Sequence, residues 1–174
     1  MTEPLIRAAH PQRDAAACAA IYAPHVEESP ASFEERAPDA AELGERIGAA
    51  HAWLVAEVDG ELAAFAYAGP HRSRPAYRWA VEVSVYVAAG RQGEGHGRRL
   101  YEALFAALRE RGFRVACAGV TLPNPASVAL HEKLGFEPVG VYRGIGWKAG
   151  AWHDVGWWQL ELSPGAADPP SEPG

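Results

Sequence analysis

The chain has 174 residues, of which 48% are hydrophobic and 22% are charged, and its formal net charge at pH 7 is −6. This composition is typical of a soluble globular protein of one domain, and no segment has the pattern of a signal peptide or the length of a membrane span. A negative chain gives no reason to expect nucleic acid or an anionic membrane as a partner, so any anion site has to be local.

The hydrophobic pattern divides the chain into helices and strands without a repeat. Pro24 is predicted to end the first helix, and Asp39 to cap the second. Phe33, isolated in the polar segment between them, either packs into the core or caps a pocket. Asp59-Gly60 is a favoured turn between strands and predicts a hairpin. In chain order we predict a strand over 5–9, helices over 14–22 and 39–50, strands over 53–58, 61–67 and 81–87, a helix over 95–111, a strand over 113–121, a helix over 124–135, and strands over 136–147 and 152–162.

Residues 81–100 are the organising stretch of the chain. Valines alternate with Glu82 and other polar residues in a strand, a glycine-rich loop follows, and a helix restarts at about Gly95. Such a strand, turn and helix N-terminus can form a phosphate site, because glycines let backbone N–H groups approach an anion and the helix dipole adds positive potential. The order Gly93-x-Gly95-x-Gly97 differs from the nucleotide P-loop and from the dinucleotide motif. On these residues alone, a turn without a ligand stays an alternative.

A second motif is the predicted helix that begins at Asn124 and ends in Lys-Leu-Gly-Phe136. Asn is a good N-cap, and Pro125 suits the first helical position. Asn124, Ser127 and His131 are spaced so that one helix face carries three polar groups, while the leucines face the core.

These two motifs resemble signatures of the Gcn5-related N-acetyltransferase (GNAT) family. Gln-x-x-Gly-x-Gly over 92–97 is similar to the family loop that grips the pyrophosphate of acetyl-CoA. The helix from Asn124 is similar to the second signature. Glu82 in the strand and His131 in that helix resemble the pattern of the phosphinothricin and methionine sulfoximine N-acetyltransferase subfamily, and the likeness extends over about 53–162.

The resemblance implies the GNAT fold: α/β, with a mixed, mostly antiparallel central sheet of six to seven strands, flanked by about four helices and splayed at the central strands. Residues 1–162 are expected to form a single acetyl-CoA-dependent N-acetyltransferase domain. Residues 163–174 are rich in Pro and Gly, and we expect a disordered tail there. In the subfamily the last strands contribute to a homodimer, and one or two tryptophans of the second half suit that interface.

Acetyl-CoA is the co-substrate that the resemblance implies, and no metal is expected. In the family the Asn that matches Asn124 bonds the pantetheine arm, and a backbone N–H near Tyr86 or Val87 polarises the thioester carbonyl. His153-Asp154 lacks further ligands at a fitting spacing for a metal. The residues expected at the acetyl-CoA site are Val85, Tyr86, Val87, Gln92, Gly93, Gly95, His96, Gly97, Arg98, Asn124 and Ser127.

Acetyl transfer to an amine needs a base, because the amine arrives as ammonium at neutral pH. Glu82 is the candidate, since a carboxylate within a valine-rich strand is costly to bury unpaired; a structural ion pair with an arginine of the loop 71–78 is the alternative. His131 occupies a place where the family commonly carries Tyr. It serves as a second base or as the acid that protonates the departing thiolate. We expect the two side chains to flank the acyl sulfur on one side of the sheet.

Cys18 and Cys117 are the two cysteines of the chain, and we expect both to be reduced in a cytoplasmic protein. Cys117 falls in a strand away from both motifs, so it is expected to be inert. The mechanism is then direct attack through a ternary complex, without a covalent enzyme intermediate.

The loop 71–78 carries Arg72 and Arg74 next to Tyr77. Two guanidinium groups suit a carboxylate and a phosphinate or sulfoximine group, whereas a solvated basic loop is the alternative. Thr121 stands where the phosphinothricin enzymes carry Gly, and its larger side chain narrows the pocket. The partner implied is a small-molecule amino acid, bound by Phe33, Arg72, Arg74, Tyr77, Tyr86, Thr121 and Val155.

Two other functions stay open at this point. The first is an enzyme of the same fold that modifies protein termini or other amines, which an open groove would favour. The second is an acyl-CoA-binding sensor without turnover, against which the presence of Glu82 and His131 argues.

Overall fold

The structure, a computed structural model, describes residues 3–164 and 172–174. Its helices and strands follow one another in the predicted order. They are β1 (Leu5–Ala8), α1 (Pro11–Glu27), α2 (Ala40–Ala49), β2 (Ala52–Val58), β3 (Glu61–Pro70), β4 (Ala80–Val87), α3 (His96–Glu110), β5 (Val115–Leu122), α4 (Pro125–Lys133), β6 (Glu137–Lys148) and β7 (Ala151–Glu161).

Within the described residues the strands form a seven-stranded sheet in the order β1-β2-β3-β4-β5-β7-β6. β4 and β5 run parallel, and every other neighbouring pair is antiparallel. The predicted α/β class, with a mostly antiparallel central sheet and about four helices, is confirmed.

Helix α1 continues through Pro24, so the prediction that Pro24 ends it is wrong. The proline nitrogen cannot donate a helical hydrogen bond. The buried face of α1 nevertheless extends past it, since Ile21, Tyr22 and Val26 are all at most 7% exposed. Tertiary packing on both sides of the proline therefore holds the helix together. The N–H of Glu28, just after the helix, donates to the Pro24 carbonyl at 2.9 Å.

The predicted turn and cap signals are confirmed in the first half of the chain. Asp59 and Gly60 have φ of 52° and 86°, as a tight hairpin turn between β2 and β3 requires. Asp39 caps α2: its carboxylate accepts the N–H of Glu42 at 2.9 Å, and the Glu42 carboxylate accepts the N–H of Asp39 at 2.8 Å.

Each face of the sheet is covered by its own apolar cluster. The leucines of α3 are buried on one face, here called the α3 face, against Val81 and Val83 of β4. The other face, here called the α1/α2 face, carries the cluster formed by α1, α2 and the aromatic residues of β2 and β3. Because side chains alternate along a strand, Glu82, Ser84 and Tyr86 belong to the α1/α2 face.

A gap opens between the two parallel strands at the centre of the sheet. β4 and β5 pair only through residues 80–82 and 115–117. Beyond these, β4 stays paired with β3, and β5 stays paired with β7, up to the ends of both strands. The predicted splay of the central strands is confirmed.

The segment between α1 and α2 is fastened to the last hairpin by one lysine. The ammonium of Lys148, at the end of β6, donates to the carbonyl oxygens of Val26, Ser32 and Glu34 at 2.6, 2.5 and 2.6 Å. Because Ser32 and Glu34 flank Phe33, the lysine fixes where that aromatic side chain lies.

The last residues of the chain lie against the end of α3, where the N–H of Gly174 donates to the carbonyl of Arg111 at 3.0 Å. The predicted disordered tail, 163–174, includes 165–171, which are outside the described residues, and it stays a prediction. Of the helices in the described part of the chain, none combines the length and the apolar character needed to cross a bilayer.

Candidate active site

The gap between β4 and β5 opens into a cleft of about 630 Å³. The cleft passes through the sheet, because its walls include Val83 and Val85 from the α3 face and Ser84 and Thr121 from the α1/α2 face. Every residue predicted for the acetyl-CoA site lines it: Val85, Tyr86, Val87, Gln92, Gly93, Gly95, His96, Gly97, Arg98, Asn124 and Ser127.

The glycine-rich loop forms an end of the cleft that suits a pyrophosphate. Gly95 is the N-cap of α3 with φ of 83°, a conformation that favours glycine. The N–H groups in the first turn of an α-helix have no intrahelical acceptors, so they can bind an anion. Arg91 and Arg98 line the same end and add positive charge. Gln92 also shapes this loop, since its side-chain oxygen accepts the N–H of Gly90 at 2.9 Å.

His96 is a buried polar side chain at this end of the cleft, 4% exposed. Its Nε2 lies 2.9 Å from a carboxylate oxygen of Glu94, so Nε2 donates. Its Nδ1 is buried and has no hydrogen-bond partner among the described residues. A buried nitrogen without a partner costs free energy. A ligand that reaches it would relieve this cost, so the residues present fit acetyl-CoA.

Gly97 allows α3 to approach both α4 and β4. A Cβ atom here would lie 3.6 Å from Leu130 Cδ2 and 3.6 Å from Val85 Cγ2. These are ordinary contact distances, so a methyl group fits, whereas a branched side chain would project into the cleft.

Helix α4 begins as predicted. The side-chain oxygen of Asn124 accepts the N–H of Ser127 at 3.1 Å, and Pro125 occupies the first helical position. His131 follows one turn after Ser127, lines the cleft and is 4% exposed.

The hydrogen bonds of His131 define its tautomer. Nδ1 lies 2.7 Å from the carbonyl oxygen of Ser127, which can only accept, so Nδ1 carries the hydrogen. Nε2 therefore carries a lone pair, which accepts a hydrogen bond from the hydroxyl of Tyr101 at 3.3 Å. Burial lowers the pKa of His131 below 6.5, although the bond to Ser127 opposes this, and the ring is neutral at pH 7. Burial also raises the pKa of Tyr101, so the hydroxyl keeps its proton.

Glu82 has a different environment from the one expected. Its side chain is 41% exposed, and its carboxylate lies 3.4 Å from Nδ1 of His71. Among the described residues it forms no ion pair with an arginine, so the structural alternative of an ion pair with Arg72, Arg74 or Arg78 is wrong, and the loop 71–78 contacts Glu82 through His71 instead. The carboxylate is therefore free to face solvent or a bound amine.

Glu82 and His131 lie on opposite faces of the sheet, so the prediction that they flank the sulfur on one side is wrong. His131 contacts Tyr101 on the α3 face, whereas Glu82 belongs to the α1/α2 face. The cleft that crosses the sheet connects these faces. Ser84, the next residue on the face of Glu82, lines the cleft, and residues two apart along a strand are separated by about 7 Å.

The side chains around Glu82 form a group that we call the acceptor cluster, made of His71, Arg72, Tyr77, Glu82 and Trp157. The guanidinium of Arg72 lies 5.9 Å from the ring centroid of Trp157. The ring of His71 lies 6.2 Å from that of Tyr77 and 5.8 Å from that of Trp157. The structure therefore brings predicted substrate residues Arg72 and Tyr77 together with the predicted base.

The other predicted substrate residues are spread more widely. Thr121 lines the cleft, and Val155 is its direct partner across β5 and β7. Phe33 is 40% exposed, and its ring packs on Gly146 so closely that no Cβ would fit there. It therefore covers the last hairpin, where it neither enters the core nor reaches the cleft. Arg74 is exposed at the start of a short 3-10 turn.

Cys117 pairs directly with Glu82, so the prediction that it lies away from both motifs is wrong. Burial raises the pKa of its thiol, and the charge of Glu82 adds to this effect. A protonated thiol is a poor nucleophile. The prediction that Cys117 is inert stays a prediction, with this support.

Three residues of the site had no signal in the sequence. Tyr101 has the helical spacing of a core residue, and only its contact with His131 shows a further role. His71 and Trp157 come from separate segments that meet Glu82 only after the sheet has formed.

No group of three or more His, Cys, Asp or Glu side chains that could hold a metal occurs among the described residues. His153 donates through Nε2 to the carbonyl of Lys148 at 2.9 Å, and Asp154 accepts the N–H of Gly144 at 2.7 Å. Both side chains thus stabilise the final hairpin.

Comparison with known proteins identifies the family. The Acetyltransferase (GNAT) family matches residues 18–136. Phosphinothricin N-acetyltransferase of Streptomyces viridochromogenes is 45% identical over 129 residues, which are 74% of this chain and 70% of that protein. The L-methionine sulfoximine/L-methionine sulfone acetyltransferase of Salmonella typhimurium is 40% identical over 66% of this chain and 67% of its own length.

A solved structure agrees with these relatives. The GNAT superfamily phosphinothricin acetyltransferase from Sinorhizobium meliloti, in complex with AcCoA, superposes with a TM-score of 0.92 at 33% identity, covering 98% of this chain and 95% of that one. The chain therefore belongs to the acetyltransferase (GNAT) family, and it is an acetyl-CoA-dependent N-acetyltransferase.

Proposed function

We propose that this enzyme transfers the acetyl group of acetyl-CoA to the α-amino group of a small amino acid or analogue, of the phosphinothricin or methionine sulfoximine type. The observation that carries the proposal is the cleft through the sheet, with His131 on one face and the acceptor cluster around Glu82 on the other. The names of the similar enzymes support the substrate class.

Acetyl-CoA is proposed to bind along the cleft. Its pyrophosphate would lie at the N-terminus of α3, between Arg91 and Arg98, where charge and free N–H groups favour an anion. Its pantetheine arm would run along the edge of β4 that faces the gap, whose backbone groups lack a neighbouring strand beyond residue 82. The thioester would then lie in the gap, and a backbone N–H near Tyr86 or Val87 would polarise its carbonyl.

The amino substrate is proposed to approach from the α1/α2 face. Its carboxylate would pair with Arg72, whose guanidinium is held beside Trp157. Its ammonium would meet the half-exposed carboxylate of Glu82, which takes a proton and leaves a neutral amine. His71, 3.4 Å from that carboxylate, provides a route for the proton to solvent.

The free amine attacks the carbonyl carbon, the new C–N bond forms, and the C–S bond breaks. The amine loses a second proton, and the departing thiolate gains one, so the step balances. His131 is suited to pass this proton because its Nε2 lone pair accepts one, and the Tyr101 hydroxyl bonded to Nε2 lines the cleft beside it. His131 would thus act first as a base towards the amine and then as the acid that protonates the thiolate.

Direct attack in a ternary complex is proposed over a covalent intermediate. The thiol nearest to the base belongs to Cys117, and burial keeps it protonated because its pKa is raised. Cys18 is a buried free thiol as well. Two free thiols also suit a cytoplasmic enzyme.

A homodimer is proposed through the last hairpin. β6 is an edge strand, and an exposed row of large apolar side chains there is unusual for a monomer. Their exposed fractions are between 45% and 66%, for Val139, Val141, Tyr142, Ile145, Trp147 and Trp152.

The test is thiol release from acetyl-CoA over a panel of amines: phosphinothricin, methionine sulfoximine, glutamate, methionine and a peptide with a free N-terminus. We expect turnover with the amino acids, and initial-rate lines that intersect when both substrates are varied, as in a ternary complex. Glu82→Ala should lose turnover while retaining CoA binding, which excludes a sensor without activity. Acetylation of the peptide alone, or no turnover at all, would overturn the proposal.

A further inference from the structure

A second cavity, of about 210 Å³, lies on the α1/α2 face. Its floor is aromatic: Trp53 and Phe65 are buried, and the ring of Tyr67 is stacked on Trp53 with centroids 4.4 Å apart. Leu43 and Arg46 of α2 form the opposite wall. The acetyl transfer described above makes no use of this cavity.

The chemistry of its walls favours a neutral, apolar occupant. Of the described residues that line the cavity, Arg46 alone carries a charge. That charge is already paired, since two of its nitrogens donate to the carboxylate of Glu34 at 2.6 and 3.0 Å. A carboxylate or phosphinate would find no free cation here, whereas a hydrocarbon or thioether group would contact aromatic rings.

The cavity adjoins the proposed base. Gly69 of β3 lines the cavity and is paired directly with Glu82 of β4, and Tyr67 is paired with Ser84. Direct partners in antiparallel strands have Cα atoms about 4.5–5.5 Å apart. Tyr86 lines both the cavity and the cleft. An amine held at Glu82 therefore lies within one side-chain length of the cavity.

The volume suits one large side chain. An apolar cavity of about 150 Å³ is enough to bind benzene. We infer that this cavity binds the side chain of the acceptor amino acid, and that the substrates are amino acids with a large neutral side chain, aromatic or thioether. The inference rests on the proposed function and specifies its substrate: phenylalanine and methionine should be better acceptors than alanine.

Two substitutions fill the cavity from different walls. Gly69→Leu places a side chain on the cavity face of β3, and nothing lies within 4 Å of a Cβ atom built there. Ala49→Leu enters from the exposed rim on α2 and uses a residue that favours helices. Gly48→Leu is the matched control, since Gly48 is the neighbouring exposed position of α2, has equal free space and does not line the cavity.

In the activity test, kcat/KM is measured for phenylalanine, methionine and alanine. Wild type should prefer the two large acceptors over alanine at least tenfold. Each filling variant should lose at least tenfold of that preference, while the Gly48→Leu ratio stays at the wild-type value. A wild type without the preference, or a preference that both folded filling variants retain, would overturn the inference and leave the proposed acetyl transfer intact.

A binding test separates the cavity from catalysis. Indole, the probe, is titrated into each protein without acetyl-CoA and followed by ligand-observed NMR. Saturable binding should weaken at least tenfold in Gly69→Leu and Ala49→Leu, and it should persist in Gly48→Leu. If indole binds in this way but no amino acid is acetylated, the proposed function is wrong and so is the substrate assigned to the cavity. The cavity would then be a binding site for aromatic groups that does not serve acetyl transfer. Absence of indole binding to wild type would overturn the inference that the cavity binds an aromatic side chain.

Discussion

Glu82 faces Cys117 in the last paired position before β4 and β5 separate. This places the carboxylate at the end of the gap, on the α1/α2 face and two residues before Ser84, which lines the cleft. It also places a thiol beside the reacting centre, so the two side chains can be tested against each other.

Glu82→Gln should lower kcat by about 10²- to 10³-fold, because the amide keeps the shape of the carboxylate but cannot accept the proton of an ammonium. CoA affinity, measured by calorimetry, should stay within about threefold. Cys117→Ala is the control and should retain kcat within about threefold if attack is direct. A loss of activity in Cys117→Ala that equals that of Glu82→Gln would instead indicate a covalent acetyl-cysteine.

Tyr101→Phe should reduce kcat by roughly tenfold or more, because Nε2 of His131 then loses its hydrogen-bond donor in the cleft. The aromatic ring stays, and so does its stacking on Phe105, with centroids 5.1 Å apart. The thermal midpoint should therefore fall only slightly. Steady-state kinetics with acetyl-CoA at saturation provide the measurement, and an unchanged kcat would remove Tyr101 from the proton path.

The stability of the protein should fall as the pH drops below about 6.5, partly because of His131. In the folded state the pKa of His131 lies below 6.5. Below this pH the unfolded chain therefore binds a proton at His131 more readily than the folded chain does. One such group changes the free energy of unfolding by at most about 1.4 kcal/mol per pH unit. Urea unfolding at pH 7.5 and 5.5 measures it, and His131→Gln should show a smaller difference than wild type.

His51 is the comparison for this experiment, since burial lowers its pKa too. His51→Gln should remove its own share of the slope without changing kcat. If the pH dependence of His131→Gln equals that of wild type, the buried neutral form of His131 is not the cause.

Gly97→Val should raise the Kd for CoA at least tenfold, whereas Gly97→Ala should change it less than threefold. The reason is the 3.6 Å distance from a Cβ at this position to Leu130 and to Val85, which a methyl group tolerates and a branched side chain exceeds. Calorimetry with CoA measures both. Equal affinities in the two variants would show that the ligand does not pass this point.

Asp14→Asn should destabilise the fold by about 1–3 kcal/mol at pH 7, because the guanidinium of Arg7 loses its buried partner at 2.7 Å while it keeps its pair with Glu57 at 2.9 Å. The bond to Arg7 is the main reason that the pKa of Asp14 lies below 3.8. The stabilisation is therefore present above pH 3.8 and is lost as the pH falls through the lower, folded value. Wild type and variant should converge in acid unfolding. Glu102→Gln, in an exposed pair with Arg98, should leave the midpoint unchanged.

Local signals explain which parts of the structure could be predicted. The Asp59-Gly60 turn, the Asn124 cap and the glycine at the start of α3 each depend on conformations within a few residues, so the sequence carries them directly. Strand alternation likewise gave the side of β4 on which Glu82 lies. The element order and the acetyl-CoA cleft followed from these signals and from the family resemblance.

The errors concern contacts between distant segments. Pro24 lies inside α1 because packing against the sheet outweighs a lost hydrogen bond, and no local rule contains that packing. The opposite placement of Glu82 and His131 depends on the face to which the chain crosses after β5. The position of the Phe33 side chain could not be predicted, because it depends on packing against Gly146, which is distant in the sequence.

The ammonium of Lys148 has three hydrogens and three carbonyl acceptors, so none of its bonding capacity is left over. The loop that carries Phe33 and the outermost hairpin must consequently shift as one rigid block. If a second subunit docks on β6, its arrival is transmitted mechanically to that loop without any contact of its own there. Because Ala31 of the same loop lines the cleft, assembly and the shape of the cleft would then change together, and an uncharged residue in place of Lys148 would uncouple them.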